Sequence, residues 1–137
     1  MFELVVLTRA SALLAICMAL TPGVFSLGPY LESRYFPVVR DTRIMNEETV
    51  PGGVSFFVQF RKVRQCKFEG LAWYVGDVRV PVDFEPTAET MPRSRPMGGQ
   101  YAGPWYVPGL PGTRGTHAYA YHRCHPLWET ITRFYEG

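Results

Sequence analysis

His117, His122, Cys124 and His125 bring all 3 histidines of the chain and one of its 3 cysteines within nine residues. Metal or thiol chemistry is therefore the first question this sequence poses. A metal centre needs imidazole, thiolate or carboxylate groups turned towards one point. On an extended chain His122 and Cys124 share a face, His117 takes the opposite one, and His125 opens a turn before Pro126, so at most three converge. No second ligand pair completes the set. His122, Cys124 and His125 are weak metal candidates, and packing and hydrogen bonding around a disulfide is the favoured reading. A Cys–His nucleophile would need Cys124 reduced and a third group to orient the base, and neither is visible. Asp77, Asp83, Glu85 and Glu89 are scattered over a turn and a loop without the spacing of an acid/base pair. Gly98-Gly99 and Gly109-x-x-Gly112 sit among prolines, where no strand-to-helix phosphate loop can form. The sequence assigns no catalytic residue and no cofactor.

Two other groupings carry more weight. Cys66 and Cys124 lie on two expected strands with 57 residues between them. As a disulfide, that loop would stabilise a small domain by about 4 kcal/mol on chain-entropy grounds. The order Cys66, Trp73, Cys124 is that of immunoglobulin-like sandwiches, although Trp73 comes only seven residues after Cys66 and His122 stands where such domains carry a tyrosine. Tyr74, Trp105, Tyr106, Tyr119 and Tyr121 are the candidate ligand or partner contacts, since exposed aromatic rings form stacking platforms for sugars or hot spots for proteins. Packing within the sheets is the competing explanation for them. Arg61, Lys62, Arg64 and Lys67 read as a solvated strand face, with a phosphate or lipid-headgroup patch as the alternative.

The elements that must position these residues are short strands. Gly and Pro supply 13 and 12 of 137 residues, about one and a half times the usual share of roughly 12%. With 15% aromatic residues, that composition argues against a helical bundle. A net charge of +2 is too small to suggest a nucleic-acid binder on electrostatic grounds, and 47% hydrophobic residues against 19% charged are too apolar a balance for a disordered chain. Val54, Phe56, Val58 and Phe60 alternate as one buried strand face. Gly76-Asp77 has the chemistry of a two-residue turn, pairing Val75 with Val78, Trp73 with Val80, Leu71 with Val82 and Tyr74 with Arg79. Pro81 should lie at a sheet edge or a bulge. Tyr35–Val39 reads as a first short strand and Asn46–Thr49 as a turn. Between Pro86 and Gly115 six prolines and six glycines in 30 residues read as a long loop, with a short strand at Trp105–Val107. Thr116–Cys124 resumes alternation, with Ala118, Ala120 and His122 on one face, and Leu127–Tyr135 should close the sheet. The expected fold is all-β, a single antiparallel β-sandwich with immunoglobulin-like leanings over 32–137.

Residues 1–31 have a different character. No carboxylate or basic side chain interrupts the 22 residues between Arg9 and Glu32, long enough as a helix to cross a hydrocarbon core of about 30 Å. Thr21-Pro22-Gly23 breaks that stretch and leaves an 11-residue continuous core, the length of a signal-peptide hydrophobic region. A retained anchor, a cleaved signal and a buried soluble helix are the three readings. Pro29 behind the best cleavage site, Ser26-Leu27-Gly28, favours retention, with residues 10–28 in the membrane. Ile16 before Cys17 spoils a lipoprotein site. Arg34, Arg40 and Arg43 would keep the C-terminal part inside by the positive-inside rule, whereas the cysteine pair favours an oxidising exterior.

The segments Lys62–Tyr74, Gly103-Pro104-Trp105 and His122–Trp128 resemble small uncharacterised membrane-anchored proteins of tailed phages and prophages, over roughly the last hundred residues. The resemblance implies a viral or prophage setting and no particular chemistry. The expected protein is a single-pass component of a bacterial inner membrane with its C-terminal domain periplasmic. It would act as a non-catalytic binding or structural module towards a protein or glycan partner at the envelope, and not towards nucleic acid. The alternatives are a small metal- or thiol-dependent enzyme built on His117–His125, and a phage accessory protein for lysis or superinfection exclusion.

Overall fold

A computed structural model of the chain describes residues 2–84 and 95–137. One helix, α1 (Phe2–Tyr35), precedes eight strands: β1 (Val39–Val50), β2 (Gly53–Lys62), β3 (Lys67–Val75), β4 (Val78–Val80), β5 (Asp83–Phe84), β6 (Gly98–Pro108), β7 (Thr116–Arg123) and β8 (Thr130–Glu136). They form two four-stranded antiparallel sheets, ordered β1-β2-β6-β5 and β4-β3-β7-β8. The alternating residues of β2 and β7 face each other across the gap as foreseen: Val54, Phe56, Val58 and Phe60 on one side, Ala118, Ala120 and His122 on the other, all buried. Rings interlock between the sheets. Phe56 packs on Trp73 at 5.1 Å, Phe60 on Phe134 at 5.4 Å, and Trp105 on Phe134 at 5.7 Å. Trp73 is fully buried, and its indole N–H donates to Thr116 Oγ1 at 2.9 Å, so no polar atom of the ring is stranded. The architecture is a β-sandwich behind an N-terminal apolar helix.

Several local expectations are corrected. Pro22 and Pro29 do not end α1, which runs 34 residues, about 51 Å at 1.5 Å per residue. Each proline costs one amide donor and one strained turn, and the Leu, Ala and Met residues around them keep the chain helical. Tyr35 ends the helix and is not in a strand. Asn46–Thr49 lies inside β1, where Asn46 takes a φ of 50° at a bulge between Met45 and Glu48. The turn chemistry was real, but the partner strand held the chain extended on either side of it. The hairpin over Gly76-Asp77 pairs Val75 with Val78, Tyr74 with Arg79 and Trp73 with Val80, then stops at Pro81. Beyond that point the chain crosses to the other sheet, and Val82 does not oppose Leu71. Of the four residues expected to be buried on this face, Trp73 is, whereas Leu71, Val80 and Val82 are half-buried. Part of the expected loop is a central strand: β6 pairs along β2 from Gly98 to Pro108. Its Gly103 adopts a φ of 132° where a Cβ would press on Phe56 O and the Phe57 ring, so the glycine makes the strand possible there. Glu85 and Glu89 lie outside the described residues.

The sulfurs of Cys66 and Cys124 are bonded, with a Cα separation of 4.6 Å. The bridge does not join facing sheets, as the immunoglobulin analogy required. Cys66 immediately precedes β3 and Cys124 immediately follows β7, and these are neighbouring strands of one sheet. The disulfide therefore locks the end of a ladder.

Helix α1 is long and apolar enough over Val6–Tyr35 to cross a membrane. Leu13, Leu14, Ile16, Met18 and Leu20 are all exposed, so the apolar surface is not restricted to one stripe. The hydroxyls of Ser11 and Thr21 donate to the carbonyls four residues back, at 2.8 and 2.7 Å, which is how polar groups are satisfied in a lipid setting. The end of the helix is clamped to the sandwich. The buried carboxylate of Glu32 meets Arg64 at 2.9 Å and the ring nitrogens of His125 and Trp128 at 3.0 and 2.6 Å. Arg64 also donates to Phe36 O at 2.7 Å, and the Trp128 ring lies so close to Gly28 that a Cβ there would meet it at 2.6 Å. The helix runs straight into the sandwich at this clamp.

Candidate functional site

The three histidines diverge. His117 lies on the outer face of the β4-β3-β7-β8 sheet and stacks on Tyr74, ring centroids 5.3 Å apart and nearly parallel. His122 points into the sandwich against Phe68. Burial, with Lys62 nearby, pushes its pKa down to about 4, so the ring is neutral at physiological pH. His125 belongs to the Glu32 clamp. Cys124 is spent in the disulfide, and no group of three or more His, Cys, Asp or Glu able to hold a metal occurs among the described residues. The cluster seen along the chain is taken apart by strand alternation and by the turn at Pro126.

The five aromatic candidates also separate. Trp105 is buried in the core against Phe56, Phe84 and Phe134. Tyr106 is half-buried on the other sheet, opposite Ser55 and Asp83. Tyr74, Tyr119 and Tyr121 come together on one face. Tyr119 meets Tyr74 edge-on at 6.0 Å and His117 at 5.5 Å. Burial and the neighbouring Tyr74 hydroxyl raise the Tyr121 pKa, so the Tyr121 phenol stays protonated and able to donate. Alternation puts Ala72 on this face too, and it is buried amid the larger rings. The result is a half-exposed aromatic panel flanked by Arg79, the Tyr74 partner in the hairpin.

A second feature was not read from the sequence. A cavity of about 550 Å³ lies between the sheets, walled by Val39, Phe60, Phe68, Leu71, Phe84 and Phe134. Lys62, Arg95, His122 and Trp105 also line it. Lys62 is only 4% exposed, and its ammonium donates to two backbone carbonyls, Cys66 O at 3.0 Å and Arg95 O at 2.8 Å. No carboxylate lies within 4 Å of it among the described residues. Desolvation, and then the charge of Arg95, lower its pKa. His122 Nδ1 and Trp105 Nε1 are buried without a hydrogen-bond partner among the described residues. The signal for Lys62 was present: it continues the period of Val54, Phe56, Val58 and Phe60, so the fifth inward position of β2 is a lysine. Its reading as part of a solvated face is corrected for that reason. Glu69, also at this cavity, is neutralised by Lys67 at 3.0 Å and Arg123 at 3.3 Å.

No family model matches the chain, and no curated protein or solved structure matches it either. The class rests on the chain itself: one candidate membrane helix clamped to a disulfide-locked β-sandwich.

Proposed function

We propose that this protein is a single-pass component of a bacterial inner membrane whose β-sandwich stands in the periplasm and acts as a non-catalytic binding module. Its partner is a protein or glycan of the envelope, met by the panel of Tyr74, Tyr119 and Tyr121. The observation that carries the reading is that panel: three tyrosines and His117 drawn from β3 and β7 onto one half-exposed face of the sheet that the disulfide locks. Tyrosine offers large contact area at small entropic cost, together with a hydroxyl for polar contacts. The disulfide supports an oxidising compartment, and the resemblance of Lys62–Tyr74 and His122–Trp128 to membrane-anchored phage and prophage proteins supports an envelope setting.

Two measurements test the proposal. An alkaline phosphatase fused after Gly137 should be active; a fusion active only with a cytoplasmic reporter would overturn the orientation. A photo-crosslinking amino acid at position 119 should give a discrete adduct in intact cells, while the same group at Gln59, on the other sheet, should not. Equal adducts at both positions, or none at 119, would overturn the binding face.

A further inference from the structure

We infer that the cavity between the sheets takes a single-chain anionic amphiphile, its acyl chain lying among Phe60, Phe68, Leu71 and Phe134 and its carboxylate or phosphate head meeting Lys62 and Arg95. The volume of about 550 Å³ falls within the roughly 300–1,000 Å³ of small-molecule sites, and the walls are mainly aromatic and aliphatic. The polar groups in those walls are not the set a closed core would tolerate. Among the described residues the buried ammonium has only carbonyl partners, and burying a charge in that state is costly unless an anion joins it. Arg95 brings a second cation to the same cavity, and among the described residues no ion pair engages its guanidinium. The buried nitrogens of His122 and Trp105 leave two further polar atoms on these walls without partners among the described residues. Apolar walls with an unanswered positive end select a molecule with a long apolar body and one negative head.

The position fits the source. Lys62 pairs with Val39, the first residue of β1, four residues beyond Tyr35 at the end of α1. Cys66, whose carbonyl holds the ammonium, is bridged to Cys124, and the next residue, His125, reaches Glu32 on the helix. The cationic end of the cavity thus lies at the end of the sandwich to which the helix is clamped, where a membrane-derived fatty acid or lysophospholipid would arrive. The inference rests on the reading of the protein as a binding module but not on the tyrosine panel, so cross-linking at position 119 and occupancy of the cavity can fail separately.

The test uses the full chain in phosphatidylcholine nanodiscs, titrated with brominated stearate, whose bromines quench tryptophan fluorescence on contact. Saturable quenching beyond that of a Trp105→Phe variant is expected, because Trp105 lines the cavity. Oleate or lysophosphatidylglycerol should reverse it, the more effective of the two identifying free fatty acid or phospholipid as the source, and neutral oleyl alcohol should not. Lys62→Met, which keeps the apolar stem, should weaken binding at least tenfold, and Arg95→Gln, a half-exposed position that leaves the core intact, about threefold. Oleyl alcohol competing as well as oleate, or both variants binding as tightly as the parent, would overturn the inference.

Discussion

Glu32 and Lys62 are both charged side chains removed from water near the joint between helix and sandwich, and the fold treats them in opposite ways. Glu32 receives Arg64, His125 and Trp128, each within 3.0 Å. Lys62 finds two backbone carbonyls and no carboxylate among the described residues. A buried charge with its full complement of donors is part of the scaffold, whereas Lys62, beside a cavity, has only neutral partners among the described residues, which is the setting the inferred anionic ligand would answer.

The comparison breaks first at Glu32. Replacing it with alanine strands the Arg64 charge and the Trp128 N–H, and should cost about 3–4 kcal/mol, the low end for a broken buried pair because Arg64 is partly solvated. Thermal unfolding of the full chain in nanodiscs measures it; a loss below about 1 kcal/mol would mean that the clamp is ornamental and that packing of Trp128 on Gly28 and Phe25 holds the joint.

His122 sharpens the contrast through pH. Its pKa in the fold is about 4, below the ordinary value of 6.5, because burial and then Lys62 disfavour the charged ring. Above pH 6.5 both folded and unfolded chains carry it neutral. As pH falls from 6.5 towards 4 the unfolded chain takes up a proton that the folded one refuses, so stability should drop by about 2–3 kcal/mol across that window and level off below it. His122→Gln should remove this component from a denaturant series run at each pH, and an unchanged pH profile in that variant would show that the ring is not held neutral.

Lys62→Met should move stability the other way, raising it by about 1–2 kcal/mol, since an unpaired buried charge is exchanged for an apolar chain of similar length. A marked loss of stability would indicate that the two carbonyl contacts, rather than the cavity, explain the lysine. The smallest effect is expected at Tyr74→Ala, below about 1 kcal/mol, because the ring is half-exposed and stacks only on its own sheet face. In that variant the cross-link at position 119 should nevertheless disappear.

How much of this was legible depends on how far local pattern and tertiary setting agreed. β2 and β7 were readable because their inward residues alternate, Val and Phe in β2 and Ala in β7, and the Cys66–Cys124 pair was legible from residue type, although the cysteines sit just outside β3 and β7 rather than on strands. β6 was hidden by its own glycines and prolines: Gly103 and Pro104 look like loop residues, but the close approach of Phe56 and Phe57 requires Gly103 inside a sheet. The bulge at Asn46 and the unbroken helix through Pro22 are the same lesson, a local breaker outvoted by its neighbours. Among the site residues, strand alternation sorted Tyr74 and Tyr119 outward, whereas Trp105 could be recognised as core only once β6 was known. Lys62 was legible in principle and obscured by Arg61, Arg64 and Lys67, which do lie towards solvent to varying degrees.

The central claim, an anchored domain standing in an oxidising compartment, is tested most directly by non-reducing peptide mapping of the full-length protein taken from its native membrane with free thiols blocked at lysis. The account predicts a cross-linked peptide joining Cys66 to Cys124 with Cys17 alkylated as a free thiol, in keeping with the bonded pair and the exposed helical cysteine. Alkylation of Cys66 and Cys124 as free thiols in that sample would contradict it.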